Sequence, residues 1–209
     1  ALTIGNTYNY RVAAINAVGT GTFSADVAVV AGNVPDQVQL TVTAQPNSII
    51  ELTWITPGSN GYALTGYAIE RSTDGTNWSP LTTAGPSTNN YTDSGLTNGD
   101  TYYYRITAIN AIGNSIWSAA QSTIAGDVPD QVTGLTVTTI SDISLQLQWT
   151  APSGNGYAVQ GYKIERSPDS TNWTVITSNT QSTTTTFTDA GLAPATDYYY
   201  RVSAVNAIG

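Results

Sequence analysis

The residue types that perform most enzyme chemistry are missing from this chain. It contains no His and no Cys, which removes the commonest general base, the commonest transition-metal ligand and the thiolate nucleophile. A Ser-His-Asp triad therefore cannot be assembled within this span. Glycoside hydrolysis needs two facing carboxyl groups, but Glu70 has no acid beside it and its neighbour is the basic Arg71. The sequence predicts a protein that is not an enzyme, with no catalytic residue and no cofactor.

Oxygen-bearing side chains are the remaining candidates for a metal site. Asp36, Asp127 and Asp130 fall in two short segments that contain Pro and Gly. Calcium takes six to eight oxygen ligands, and these residues form no spaced Asp-x-Asp-x-Asp loop. The Gly-rich segments 58–61 and 153–156 lack the lysine and helix start of a phosphate-binding loop. We predict no metal site, and calcium at the two aspartate-bearing segments is the alternative.

The charge balance excludes two classes of partner. Six basic residues against fourteen acidic residues give a net charge of −8. Binding to DNA or RNA requires clustered Lys and Arg, and the chain has no such cluster. No apolar run approaches the roughly 20 residues of a membrane span. We expect no nucleic-acid partner and no direct membrane insertion.

Aromatic side chains outside the expected core are the candidates for a binding surface. Exposed Trp and Tyr are common at protein interfaces. The candidates for contact with a partner protein or a surface glycan are Trp78, Trp117, Trp173, Tyr103 and Tyr199. In the alternative interpretation they cover their own sheet by stacking on Arg105 or Arg201. These two arginines should also form cross-strand salt bridges with Glu70 and Glu165.

Three triplets match the acceptor pattern for N-glycosylation, Asn-x-Ser/Thr. They begin at Asn77, Asn90 and Asn172. Pro80 follows the first triplet and weakens it as an acceptor. We predict that an exported protein in a glycosylating host would carry glycans at Asn90 and Asn172, although such triplets also arise by chance in a chain rich in Asn and Thr.

An internal repeat decides how these residues are positioned. Tyr-Asn-Tyr-Arg-Val at 8–12 returns as Tyr-Tyr-Tyr-Arg-Ile at 102–106, 94 residues later, and as Tyr-Tyr-Tyr-Arg-Val at 198–202, a further 96 residues along. Val-Pro-Asp-Gln-Val occurs at both 34–38 and 128–132. The order and spacing of the matching segments indicate tandem copies of one domain.

The matches place the boundaries of three repeats. Residues 1–32 are the last strands of a first repeat, 33–126 a complete middle repeat, and 127–209 a third repeat that lacks its last strand. The first joint, 32–35, and the second joint, 126–129, each contain a Pro that restricts φ and favours extended backbone before it. We expect short, semi-rigid joints. The chain is interpreted as a window of a longer polypeptide, and a subunit that exchanges strands with its neighbours is the alternative.

Apolar residues alternate with polar ones in the middle repeat, which is typical of half-buried strands. Ile50, Leu52 and Trp54 alternate in one segment, and Tyr67 and Ile69 in the next. Clusters of Gly, Pro, Asn and Asp separate the segments and supply turn conformations. About seven short strands in about 94 residues fit a two-sheet sandwich.

The motifs as a whole resemble the fibronectin type III domain. In the middle repeat they are Val38, Val42, Trp54, Pro57, Tyr67, Ile69, Leu96, Tyr102, Ala108, Asn110, Gly113 and Ser118. The six-residue step from Leu96 to Tyr102 resembles a tyrosine corner. The resemblance implies an all-β fold of tandem immunoglobulin-like, seven-stranded antiparallel sandwiches, with strands A, B and E facing C, C′, F and G.

The resemblance also implies an extracellular role in spacing, adhesion or protein binding. We expect a non-catalytic structural or adhesive array in a prokaryotic cell-surface protein, secreted protein or filament, whose partners are neighbouring repeats or copies of the same protein. The alternative is an accessory spacer or carbohydrate-binding module of a secreted polysaccharide-degrading enzyme. The Arg-Gly-Asp tripeptide of some family members is absent.

Overall fold

The computed structural model describes residues 1–209, and every regular element in it is a β-strand. The prediction of an all-β fold is confirmed. The structure contains no helical segment with the length and hydropathy that crossing a membrane requires.

The first repeat contributes two small antiparallel ladders. Strand β1 pairs with β4, and β2 pairs with β3. Their bounds are β1 Thr7–Tyr10, β2 Ile15–Asn16, β3 Gly19–Thr20 and β4 Val27–Val30.

The middle repeat has the seven strands that the resemblance implied. Their bounds are β5 Gln39–Gln45, β6 Ile49–Ile55, β7 Leu64–Ser72, β8 Ser79–Ala84, β9 Asn90–Asp93, β10 Thr101–Asn110 and β11 Gln121–Ile124. One sheet has the order β5-β6-β9 and the other β11-β10-β7-β8. This is the predicted arrangement of A, B and E in one sheet and C, C′, F and G in the other.

The third repeat forms two three-stranded sheets, in the orders β12-β13-β16 and β15-β14-β17. The bounds are β12 Thr133–Ser141, β13 Ser144–Thr150, β14 Gly161–Ser167, β15 Thr174–Thr177, β16 Thr186–Ala190 and β17 Tyr199–Val205.

A Trp–Tyr pair links the two sheets in the middle repeat and again in the third. The ring centroids of Trp54 on β6 and Tyr67 on β7 lie 5.4 Å apart with an edge-to-face tilt of 60°. Trp149 on β13 and Tyr162 on β14 repeat the contact at 4.9 Å. Both tyrosines are fully buried. Period-two patterning places each of these rings on the inward face of its strand, so the two sheets pack through them.

The tyrosine corner is present at both ends of the chain. The Tyr8 hydroxyl accepts the Thr3 N–H at 2.8 Å, and the Tyr198 hydroxyl accepts the Ala193 N–H at 3.0 Å. The bond from Thr3 lowers the pKa of Tyr8. In each case the hydroxyl satisfies a backbone donor in the loop that enters the tyrosine's strand.

Contacts divide the chain into two compact units whose limits differ from those of the repeats. The first unit comprises 1–42, 52–91 and 102–122, and the second comprises 43–51, 92–101 and 123–209. Each unit therefore contains one entire joint, because the first joint lies within 1–42 and the second within 123–209.

Candidate functional site: the joints and the aromatic faces

The first joint is held against the loop between β6 and β7 by hydrogen bonds. The Asn33 N–H donates to the Asn60 carbonyl and the Asp36 N–H to the Gly58 carbonyl, each at 2.9 Å. The Asn60 carboxamide nitrogen donates to the Val34 carbonyl and to Asp36 Oδ1, both at 2.9 Å. The Asn60 side chain thus donates to both a backbone carbonyl and a carboxylate at the first joint.

The second joint uses equivalent residues in the same way. The Asp127 N–H donates to the Asn155 carbonyl at 2.9 Å, and the Asp130 N–H to the Ser153 carbonyl at 3.0 Å. The Asn155 carboxamide nitrogen donates to the Val128 carbonyl at 3.0 Å and to Asp130 Oδ1 at 2.9 Å. Two of the three aspartates that we considered for calcium, Asp36 and Asp130, therefore each accept a hydrogen bond from a carboxamide. The Asp127 carboxylate instead accepts the Val128 N–H.

A tyrosine in the loop beside each joint reaches back to the repeat that precedes it. The Tyr62 hydroxyl donates to the Val30 carbonyl at 3.0 Å, and the Tyr157 hydroxyl donates to the Ile124 carbonyl at 2.7 Å. The Tyr157 ring lies so close to Gly126 that a Cβ there would come within 2.6 Å of it. The glycine is required because any side chain would displace the ring.

A second glycine closes each joint from the other side. Gly156 has φ +95°, and a Cβ on it would lie 2.7 Å from both the Ala125 carbonyl oxygen and the Gly99 nitrogen. At the first joint Gly61 has φ +93°, and a Cβ on it would lie 2.8 Å from the Ala31 carbonyl oxygen and 3.1 Å from the Gly5 nitrogen. Both the conformation and the close backbone approach exclude a side chain at these positions.

The asparagine of the repeated Asn-Ala-Ile-Gly motif anchors the start of each joint. The Asn206 carboxamide nitrogen donates to the carbonyls of Asp127 and Gly154 at 2.8 and 2.9 Å, and its oxygen accepts two backbone N–H groups of its own turn. Asn110 does the same in the middle repeat. Sequence reasoning included Asn110 in the family resemblance but assigned it no role. The available signal was the recurrence of Asn-Ala-Ile-Gly at 110–113 and 206–209, at the end of β10 and directly after β17.

In the middle repeat two tryptophans enclose one arginine. The Arg105 guanidinium lies 4.4 Å from the ring centroid of Trp78 and 4.5 Å from that of Trp117. Arg105 faces Glu70 across the β7–β10 ladder and binds its Oε2 through Nε at 2.7 Å and Nη2 at 2.6 Å. The predicted cross-strand salt bridge is confirmed, and both tryptophans are half-buried.

The third repeat keeps the salt bridge and one of the two tryptophans, and adds a lysine. Arg201 lies 4.5 Å from the Trp173 ring centroid and binds Glu165 through two bonds, of 2.7 and 3.0 Å. The Lys163 ammonium lies 3.2 Å from Glu165 Oε1. The bonds from Arg201 hold the pKa of Glu165 below its ordinary value, against the opposing effect of burial.

The other aromatic candidates lie in different surroundings. Arg11 stacks on Phe23 at 4.3 Å in the first repeat. Tyr103 is half-buried, and its ring lies beside the backbone of Gly75. Tyr199 is 47% exposed. The interpretation in which the tryptophans stack on arginines of their own sheet is confirmed, and contact of these residues with a partner or a glycan stays a prediction.

Two of the three glycosylation triplets lie in a tightly bonded turn. The Asn77 carboxamide nitrogen donates to Asp74 Oδ2 at 2.6 Å, and Asn172 makes the same bond to Asp169 at the same distance. Further backbone N–H donors hold the pKa of both carboxyl groups far below their usual range. In the folded protein the nitrogen that would carry a glycan is thus engaged at these two positions. Asn90 is exposed on β9.

A charged network that sequence reasoning missed joins the two sheets of the third repeat. Arg166 on β14 donates to Asp189 Oδ2 on β16 at 2.9 Å, and the Tyr200 hydroxyl donates to the same oxygen at 2.8 Å. Burial, together with this carboxylate, raises the pKa of Tyr200. Glu-Arg-Ser occurs at 70–72 and again at 165–167, and this repetition was the available signal. Its arginine alternates with the outward-facing glutamate and must therefore point into the sandwich.

A comparison with family models matches the fibronectin type III domain at residues 33–124 and 130–209. The chain belongs to the fibronectin type III family. A solved structure of chicken CNTN1 FN1–FN3 domains aligns over 100% of this chain and 73% of that chain with a TM-score of 0.58. At 20% identity this similarity shows the shared fold alone.

Related proteins come from animals and from a bacterium. The chain is 30% identical to fibronectin type-III domain-containing protein 3A of Pongo abelii, with 98% of this chain and 18% of that protein aligned. It is 30% identical to human myomesin-2, with 100% and 15% aligned. It is 27% identical to exoglucanase B of Cellulomonas fimi, with 100% and 19% aligned. The chain spans less than a fifth of the length of these relatives.

Proposed function

We propose that this segment is a non-catalytic spacer and interaction array of a prokaryotic cell-surface or secreted protein, and that each joint between its fibronectin type III repeats is a bonded connection and not a flexible linker. The observation that carries the proposal is that the first and second joints contain the same bonds made by equivalent residues. A flexible linker would not have the same hydrogen bonds at equivalent residues of two successive joints.

Each joint restricts motion in two ways. The hydroxyl of Tyr62 or Tyr157 ties the loop of one repeat to the last strand of the repeat before it. Gly61 or Gly156 packs directly against backbone atoms of the preceding repeat. Rotation about the joint would break a hydrogen bond and separate closely packed backbone, and a typical intramolecular hydrogen bond contributes about 0.5–1.5 kcal/mol. Each joint therefore holds the loop of one repeat against the end of the repeat before it.

The proposed setting outside the cell rests on composition and on a bacterial relative. Composition without cysteine and with few lysines suits an exported prokaryotic chain, and exoglucanase B of Cellulomonas fimi is a bacterial relative. Neighbouring repeats and further copies of the same protein are the partners we propose. Adhesion or assembly into a filament would use the outward-facing sheets, and a glycan on Asn90 would lie on such a surface.

Residual dipolar couplings test the rigidity of the second joint. We expect the amides of residues 92–101 and 123–209 to fit one alignment tensor. A matched control inserts Gly-Ser-Gly-Ser between Gly126 and Asp127, which keeps every residue of the joint but separates its two sides. The proposal is contradicted if the unmodified chain needs two independent tensors, as the control should.

A second candidate function is that of an accessory module beside a polysaccharide-degrading domain. It is favoured by Trp173, which is only half-buried, and by the similarity to exoglucanase B. Titration with soluble cellulose derivatives and xylan should then quench tryptophan fluorescence in the unmodified chain but less in Trp173→Leu. Equal fluorescence with and without both polysaccharides would reject this function.

A further inference from the structure

An open groove of about 600 Å³ lies on the outer face of the middle repeat's four-stranded sheet. Ala68 and Leu81 supply apolar lining, Trp117 supplies an indole, and Glu70 and Asn114 supply polar groups. The groove is distinct from the joints, and the stacking of Trp117 on Arg105 does not account for it.

The carboxylate in this groove keeps one oxygen for a further donor. Both bonds from Arg105 go to Glu70 Oε2. In the third repeat Arg201 divides its bonds between Oε2 and Oε1 of Glu165. The Glu70 side chain is also more exposed than that of Glu165, at 19% against 9%. Glu70 Oε1 is therefore an available acceptor on the groove wall.

The third repeat shows what an equivalent carboxylate binds. Lys163 lies two residues before Glu165 on β14, as Ala68 lies two residues before Glu70 on β7. The Lys163 ammonium sits 3.2 Å from Glu165 Oε1. Since the middle repeat has alanine at the lysine position, the same acceptor is present there without its ammonium and with space in front of it.

We infer that this groove binds a lysine side chain of a partner protein. The ammonium takes the position on Glu70 Oε1 that Lys163 occupies in the third repeat, and the aliphatic stem packs on Leu81 and along the groove. The free oxygen of the Glu70 carboxylate favours a cation over an anion. The negative net charge of the chain acts in the same direction. The inference deepens the interaction role proposed above and rests on that role for the existence of a partner.

The test is an amide chemical-shift titration of the 209-residue chain with the peptide acetyl-Gly-Lys-Gly-amide. We expect shifts at Ala68, Glu70 and Asn114 and at the Trp117 indole. The norleucine peptide, which has a similar stem without charge, should bind about three- to fivefold more weakly, as expected for one exposed ion pair. Equal binding of the two peptides would overturn the inference. This comparison uses the unmodified protein.

A variant taken from the third repeat supplies the matched control. Ala68→Lys should place its own ammonium on Glu70, abolish the peptide shifts and leave the melting temperature equal or higher. Lys163→Ala should produce new peptide-induced shifts around Glu165. Shifts that persist in Ala68→Lys, or shifts of the groove amides by cellohexaose and not by the peptide, would overturn the inference. The residual dipolar couplings that test the second joint are measured at residues outside the groove. Failure of one proposal can therefore be distinguished from failure of the other.

Discussion

The substitution Gly156→Ala tests whether the second joint depends on close backbone packing. The new Cβ would lie 2.7 Å from the Ala125 oxygen and 2.7 Å from the Gly99 nitrogen, whereas ordinary contact begins at 3.4 Å. Both neighbours are backbone atoms and cannot rotate away, so the two sides of the joint must separate by about 0.7 Å. That separation weakens the bond from the Asp127 N–H to the Asn155 carbonyl.

Strain must be distinguished from the clash, because alanine at positive φ costs about 1–2 kcal/mol wherever it lies. Gly191 provides the control, since it has φ +75° in the same repeat but open space around its Cβ position. Both variants should lower the free energy of unfolding of the third repeat by a similar amount. Gly156→Ala alone should also open the joint.

Hydrogen exchange at the Asp127 and Gly99 amides measures this opening. If the joint loses about 1–2 kcal/mol, exchange at these two amides should accelerate about 5- to 30-fold. Exchange in Gly191→Ala should change there only as much as elsewhere in the third repeat. Unchanged exchange of Asp127 in Gly156→Ala, at matched global stability, would refute the packing argument and the rigidity that depends on it.

Two further predictions concern the third repeat. Tyr198→Phe removes the acceptor of the Ala193 N–H and should lower the free energy of unfolding by about 0.5–1.5 kcal/mol in urea. Tyr199→Phe on the exposed face should change it by less than about 0.5 kcal/mol, and equal losses would contradict the corner. Arg201 lowers the pKa of Glu165 in the folded state, so the stability that this ion pair contributes is complete above the ordinary value of 4.5 and is lost as the pH falls below it. Glu165→Gln should therefore reduce the pH dependence of the urea midpoint between pH 5 and pH 3. An unaltered pH dependence would contradict this.

Local patterning explains why the architecture could be predicted. Strand faces follow from the alternation of Ile50, Leu52 and Trp54, and the same alternation predicts that Glu70 lies opposite Arg105, as it does across the ladder. These features depend on neighbours within one strand or across one ladder. A repeated motif supplies independent copies of the same signal, which made the seven-stranded sandwich predictable.

The roles of the joint residues could not be predicted in this way. Gly156 and Asn206 are far apart in sequence, and what excludes a side chain at Gly156 is the backbone of a different repeat. The pairing of Arg166 with Asp189 likewise depends on how two sheets face each other. No periodicity within one strand reports such distances.

Composition and repetition by themselves determined the absence of His and Cys chemistry, the tandem all-β organisation and the position of the joints. Only the tertiary structure decided that the joints are bonded to neighbouring loops, that Trp78 and Trp117 enclose Arg105, and that Glu70 keeps a free oxygen where Glu165 does not. The physical reason is that short-range patterns select the face of a strand, whereas hydrogen bonds and steric exclusion act between atoms that meet only when the sheets and repeats have packed.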